Sequence, residues 1–382
     1  MATGSREGLQ VGLDPGAAAG VRPGNRQTTW NQLTPFAGIT RIRFAGVISA
    51  QSGHPGEPTL ANPQYLPVTV RPLDTSDLPE ELHELMAHCH AEANAEEPYR
   101  SRADTEAYLR HPPDVEARDY WIAESSGECV GFAQLGVLHR SPAGHVDILV
   151  RPDARRRGHG TALLETVRRQ ARLRGARVLI GSHATAPGSR FAAAMGAVDS
   201  KRAIRSLMRL PLAEDAMARP VDGYALQTWV GPAPDVLLAS YAAARNAIND
   251  APRPSGEKAV VWDAALVRDL EAALERRNRD IRVTVAVDGR GEVVAFTELR
   301  VSRAVGATAG TEDTAVVASH RRRGLGRWVK LESLRRLQRD RPDVPLVATM
   351  NAEENRAMLE LNRAVGFSPV ALYTSSVLQL PG

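Results

Sequence analysis

Two short runs, Arg155-Arg156-Arg157-Gly158-His159-Gly160 and Arg321-Arg322-Arg323-Gly324-Leu325-Gly326, repeat one pattern: three arginines, then Gly-x-Gly. Each follows a short apolar segment. Each leads into a stretch of helical apolar spacing, Leu163, Leu164, Val167 and Ala171 in one case and Trp328, Leu331, Leu334 and Leu337 in the other. A helix start presents unpaired backbone N–H groups and the positive end of its dipole. Glycine there lets an anion approach the backbone, and arginine adds charge-assisted hydrogen bonds. The ligand these residues fit is a pyrophosphate. A dinucleotide fingerprint needs GxGxxG directly after the first strand, and a P-loop needs GxxxxGK[ST]; neither pattern occurs. A single copy would equally fit a turn at a basic helix start, but two copies in one setting favour a ligand.

The elements around these runs repeat too. From residue 66 the order reads β α α β β β α β α β, with strands at 68–73, 120–124, 130–138, 145–150, 178–181 and 204–210. Helices are expected from a Ser76-Asp77 cap through Leu82, Leu85 and Met86, then over 102–109, behind Gly160, and around 191–195. A Pro-containing linker spans 211–223, after which the order restarts. The second set places strands at 224–230, 281–287, 292–301, 314–318, 346–349 and 370–378. Its helices lie at 236–248, 263–276, behind Gly326, and at 353–365, and Asp288-Gly289-Arg290-Gly291 signals a hairpin. The fold class is therefore α/β (α+β): two tandem domains, 66–211 and 224–382, each a mixed sheet flanked by helices, joined by 212–223. Residues 1–65 are rich in Gly, Pro, Ala, Thr and Gln without periodicity and read as a disordered extension; a start codon assigned too far upstream would look the same.

The passages VDILVRPDARRRGHGTALLE, EDTAVVASHRRRGLGRWVK and TMNAEENRAMLELNRAVGF resemble the GNAT superfamily of acyl-CoA N-acyltransferases, whose central motif is Q/R-x-x-G-x-G/A after the fourth strand. The resemblance covers roughly 66–380. It implies that backbone groups of Ile148, Leu149 and Val150, and of Val316, Val317 and Ala318, hold the pantetheine arm of an acyl-CoA co-substrate, most simply acetyl-CoA. It implies that Arg155, Arg156, Arg157, Gly158, His159, Gly160 and Thr161, and Arg321, Arg322, Arg323, Gly324, Leu325, Gly326 and Arg327, hold the pyrophosphate. Asn351 and Asn355 are candidates to touch the cofactor or the departing sulfur; Asn351 could equally be a helix cap.

Attack by an amine requires a proton acceptor. Glu312 is favoured, with Asp313 and Glu298 nearby; Asp147 and His145 hold comparable places in the first copy. Glu312 is therefore the expected catalytic base and Asn355 the second catalytic candidate. The tyrosine that many family members keep four residues before a glycine is replaced by Ala192 before Gly196 and Asn362 before Gly366. Since the first copy also lacks the asparagines, the second copy is expected to be catalytic and the first to bind CoA or shape the acceptor cleft.

Composition limits the partners. The net charge is +4, and Lys201, Lys258 and Lys330 are the only lysines among 48 basic residues, so arginine richness reflects base composition more than nucleic-acid binding. Aromatic residues do not interleave with the basic runs. Cys89 and Cys129 form no CxxC pair or disulfide framework, and no segment has the length of a membrane span or the look of a signal peptide, so a cytoplasmic protein without metal is expected. The expected partners are acyl-CoA and a small-molecule amine; a non-catalytic acyl-CoA sensor is the alternative.

Overall fold

The computed structural model describes residues 68–112, 116–138, 141–213, 219–250 and 261–381. The expectations for 1–65, including the apolar run from Phe44, lie outside the described residues. The first half comprises β1 (Thr69–Pro72), α1 (Glu80–Ala93), α2 (Arg102–Arg110), β2 (Glu116–Ser125), β3 (Glu128–Leu138), β4 (Ala143–Val150), α3 (His159–Leu173), β5 (Val178–His183), α4 (Ala186–Ala194) and β6 (Val198–Arg209). The second repeats it as β7 (Tyr224–Val230), α5 (Asp235–Arg245), α6 (Ala264–Arg276), β8 (Arg279–Asp288), β9 (Val293–Ser302), β10 (Ala309–Val316), α7 (Leu325–Asp340), β11 (Leu346–Ala352), α8 (Arg356–Ala364) and β12 (Ser368–Gln379).

Local chemistry explains the boundaries. Ser101 accepts from Asp104 N at 3.1 Å to start α2, and Asp263 accepts from Leu266 N at 2.8 Å to start α6. The Ser76-Asp77 cap expected for α1 does not form. Ser76 instead closes a local turn, its N and Oγ both donating to Asp74 Oδ1, and the helix starts only after Pro79. The strand expected at 314–318 is displaced to Ala309–Val316, because Val317 opens a short 3-10 turn at Ala318–His320. The equivalent turn in the first half is Pro152–Ala154, so both copies pass from strand to helix through the same structure.

The strands form one twelve-stranded sheet, β1-β2-β3-β4-β5-β12-β6-β11-β10-β9-β8-β7. The two halves exchange their last strands: β12 pairs antiparallel with β5 of the first half, and β6 pairs antiparallel with β11 of the second. β6 and β12 also pair with each other at the centre. Apolar burial follows the exchange. Leu378 and Leu380 from the chain's end sit in the core of the first half with Val146, Leu163 and Leu179, while Met208 from β6 sits in the core of the second with Leu331, Leu334 and Val347. Helices cover both faces, with α1 and α2 or α5 and α6 on one side and α3 or α7 on the other. Among the described residues no helix is long and apolar enough to cross a membrane.

Candidate active site

The two Arg-Gly runs have one conformation. Arg156 and Arg322 take φ of 70° and 64°, and Gly158 and Gly324 take 85° and 86°. These left-handed residues curl the chain into α3 and α7, and neither helix has a side-chain cap. The first intrahelical bonds are Ala162 N to Gly158 O and Trp328 N to Gly324 O, each 3.0 Å. The N–H groups of His159, Gly160 and Thr161, and of Leu325, Gly326 and Arg327, therefore precede the hydrogen-bond ladder and belong to an anion-seeking helix end.

The glycines serve different ends than a uniform need for open backbone. Among the described residues nothing lies within 4 Å of a Cβ built on Gly158 or Gly324, so φ is what calls for glycine at these two. A Cβ on Gly160 would meet the Phe191 ring at 3.2 Å, whereas one on Gly326 would make ordinary contacts at 3.5 Å. His159 and Leu325 point inward and are buried, so their backbones but not their side chains face the helix end. Burial and neighbouring Arg157 hold the His159 imidazole below its ordinary range.

The arginines also divide. Arg155 Nε donates to Val150 O at 3.0 Å and its other nitrogens pair with Glu92 of α1. Arg321 repeats this, donating from Nε to Val316 O at 2.9 Å and pairing with Asp250. The first arginine of each run is thus a brace from loop to strand. Arg156, Arg157, Arg322 and Arg323 are exposed, as are Thr161 and Arg327.

Behind each loop, parallel strands separate. β4 pairs with β5 only from Ala143 to His145, and β10 pairs with β11 only at Ala309 and Gly310. The remainder of β4 (Ile148, Leu149, Val150) and of β10 (through Val316) runs along the opening; Val317 and Ala318 lie in the turn beyond it. Ile148 and Val150 bury their side chains in the sheet's core. The halves differ in the strand itself. β4 runs in even register with β3, whereas β10 carries a bulge against β9 between Thr311 and Thr314, and Glu312 and Asp313 occupy it. A bulge re-aims side chains and frees ladder groups.

Of the acids expected near this strand, two are locked. Arg245, fully buried on α5, pairs with Glu298 and with Asp313 at 3.0 Å, and Tyr241 donates to Glu298 at 2.6 Å. Glu312 is different. Its side chain is 1% exposed and meets Arg300 at 3.4 Å, while its Oε1 has no hydrogen-bond partner among the described residues. Burial pushes the carboxyl up to about 7, outweighing the nearby Arg300. Glu312 is therefore not the solvated strand end that its neighbours in sequence suggest.

The asparagines separate as well. Asn355 caps α8 by accepting from Met358 N at 3.2 Å, so the capping role falls to Asn355 and not to Asn351. Asn351 lies one residue before the end of β11 and accepts from Asn362 Nδ2 at 2.7 Å. Asn362 in turn accepts from Lys330 of α7, which is 1% exposed and lies 5.0 Å from the Phe367 ring. Desolvation lowers this ammonium to about 7. Lys330 was not singled out by sequence. The available signal was a rare lysine on the apolar face of a helix, next to Val329 and Leu331.

Residues 80–196 match the model of the acetyltransferase (GNAT) family, and the chain carries a GNAT domain there. A tandem GNAT protein from the clavulanic acid biosynthesis pathway superposes with a TM-score of 0.70 at 29% identity, covering 83% of this chain and 99% of that one. The fold across both halves is that of a tandem GNAT protein. A GCN5-related N-acetyltransferase from Sphaerobacter thermophilus shares the fold with a TM-score of 0.61 at 19% identity, over 83% of this chain and 98% of that one. Among curated relatives, the mycothiol acetyltransferases of Nocardiopsis dassonvillei and Nocardia farcinica are 35% and 33% identical over 114 and 124 residues, which are 29% and 32% of this chain. The chain spans 33% and 40% of the length of those two relatives.

Proposed function

We propose that this protein transfers an acyl group, acetyl in the simplest case, from acyl-CoA to a primary amine of a small molecule, with the chemistry in the second half. The observation that carries this is the β10 bulge. It sets Glu312, a carboxyl poised near neutral pH, on the strand beside an uncapped helix start. In this reading the N–H groups at the starts of α3 and α7, with Arg156, Arg157, Arg322 and Arg323, receive the two pyrophosphates. Backbone at 148–150 and 316–318 lines the pantetheine arm, and Arg155 and Arg321 hold each loop to its strand. Glu312 takes the proton that the amine loses as the C–N bond forms and the C–S bond breaks. Backbone N–H groups freed by the bulge stabilise the oxyanion. Asn362 stands where many relatives of this fold keep a tyrosine, and buried Lys330 donates a hydrogen bond to its side chain.

Even register in β4 favours a holding role for the first half, which binds CoA without turning it over. Charge-assisted contacts contribute about 1.5–3 kcal/mol each. The pair Arg322→Ala and Arg323→Ala is therefore expected to lower kcat/KM at least tenfold in a thiol-release assay. The pair Arg156→Ala and Arg157→Ala should remove one calorimetric acetyl-CoA binding event while leaving turnover within a few fold. The opposite pattern would move catalysis to the first half. Tight binding without turnover on any amine would favour a sensor.

A further inference from the structure

The halves enclose a cavity of about 210 Å³ at their junction. One wall is the α1–α2 connection of the first half, around Tyr99 to Asp104; the other is the β9–β10 connection of the second, Ala304 to Gly310, with Arg279 of β8. A smaller recess continues from it between Tyr108, Arg277 and Arg300. Gly310, at the cavity, is two residues from Glu312.

Charge in this space does not balance. Arg100, Arg205, Arg277, Arg279 and Arg300 line the two connected volumes. Glu97 is consumed by a bidentate pair with Arg205, and Glu312 meets Arg300. Both oxygens of Asp104 lie against Ser302 Oγ, at 2.7 and 2.8 Å. Among the described residues, no carboxylate lies within ion-pairing distance of Arg100, Arg277 or Arg279. Arg100 rests against the rings of Tyr99 and Tyr108, at 5.2 and 4.8 Å. Among the described residues Arg277 donates only to the carbonyl of His111 at 2.8 Å, and its Nη2 is buried without a partner there, as is Arg300 Nε. Burial, reinforced by the neighbouring arginines, depresses Arg277 and Arg279 to about 10 each, and for Arg279 the charges of Asp104 and Glu312 offset only part of that cost. Buried cations without counter-charges are costly unless a ligand supplies the anion.

We propose that this junction cavity binds the acceptor by a carboxylate, so that the protein's substrates are small amines that also carry a carboxylate, of amino-acid size. The inference rests on the acyltransferase reading above and specifies its acceptor. Arg279 and Arg277 present guanidinium forks, which match a carboxylate in two parallel hydrogen bonds. The amine of the same molecule then projects toward β10, where Glu312 receives its proton as the amide forms and the thiol departs. A volume of about 210 Å³ lies below the range typical of drug-sized ligands and suits a compact one.

The test compares matched amines: α-amino acids and dipeptides, their carboxamides, and the decarboxylated amines, each with acetyl-CoA in a thiol-release assay on the full chain. Carboxylates should exceed their carboxamides by at least about a hundredfold in kcat/KM, since a site built around a polar group rejects analogues lacking it. Arg279→Gln should raise KM for carboxylates at least tenfold, change KM for neutral amines little, and leave acetyl-CoA affinity by calorimetry unaltered. Thermal melts supply a readout independent of turnover: millimolar amino acids should raise the Tm of the wild type, and Arg279→Gln should abolish the rise. Equal turnover of neutral and carboxylated amines would overturn the carboxylate site while leaving acyl transfer intact. If no amine reacts, the acyltransferase reading fails, and the absence of any carboxylate-dependent rise in Tm then overturns this proposal as well.

Discussion

Replacing Glu312 by glutamine separates catalysis from stability because the two should move in opposite directions. The carboxyl ordinarily loses its proton near 4.5, and burial holds it to about 7 in the folded chain. Between those values the unfolded chain has lost the proton while the native state keeps it. Wild-type stability therefore falls as pH rises through that window, by a total on the order of 3 kcal/mol above pH 7. Glutamine has no such dependence. Whatever the new amide loses by facing Arg300 is largely independent of pH, so the informative quantity is the change in the stability difference between variant and wild type from pH 4.5 to 8. Urea unfolding should show it growing by about 3 kcal/mol in the variant's favour. Activity should fall: loss of a general base costs roughly 10² to 10⁴ in rate. In wild type, log kcat/KM should rise with unit slope to a break near pH 7, once the acceptor amine's own titration is divided out. In Glu312→Gln that break should vanish. A break surviving unchanged in the variant, or activity within threefold of wild type at pH 8, would refute Glu312 as the base.

Two further outcomes follow from the fold. The Lys330 ammonium titrates near 7 in the native state and near 10.5 in the unfolded chain, which therefore holds its proton over that interval while the fold has lost it; wild-type stability should rise with pH from 7 to 10.5. Lys330→Met should lack this slope in urea melts, and its stability relative to wild type should decline by several kcal/mol between pH 6.5 and 10. Separation in the 212–223 linker should yield halves that do not fold alone, because 68–212 lacks β12 and 224–381 lacks β6. Circular dichroism should show native signal only when the two fragments are mixed, and a cooperatively melting first fragment would contradict it.

What could be read from sequence followed from local chemistry. The helices α3 and α7 were legible because Leu163, Leu164 and Val167, and Leu331, Leu334 and Leu337, recur at helical spacing behind glycines that tolerate left-handed backbone. The Asp288 to Gly291 hairpin was equally plain. The start of β10 was missed because Ala309 and Gly310 are small and carry no strand signal; they are strand only because Arg300 and Val347 stand beside them. The same reason hid the bulge: an extra residue is defined against a partner strand, and nothing at Thr311 to Thr314 alone announces it. The strand exchange was invisible too, since Val370 to Leu378 alternates alike whichever half it joins. The bracing contacts of Arg155 and Arg321 were not legible, because three consecutive arginines look equivalent until Glu92 and Asp250, both distant in sequence, pair with one of them.

The exchange bears directly on why a half without a bulged strand is retained. β6 and β12 run side by side at the centre of the sheet, so the halves cannot come apart without breaking the pairings of β5 with β12, β12 with β6 and β6 with β11. Polar contacts reinforce this: Tyr373 of β12 donates to Asn94 beyond α1 at 2.8 Å, and Arg205 of β6 is bound to Glu97. These fix the α1–α2 connection to β6 and β12, and Asp104 adds a contact to Ser302 of β9. On the reading proposed here, the second half supplies Glu312 and the thioester, and the first half supplies a wall of the acceptor cavity that the second does not contain. Divergence of the first half's own loop is then tolerable only so far as it leaves Glu92 bound to Arg155, because that pair ties α1, the helix that ends at the cavity, to the strand beneath it.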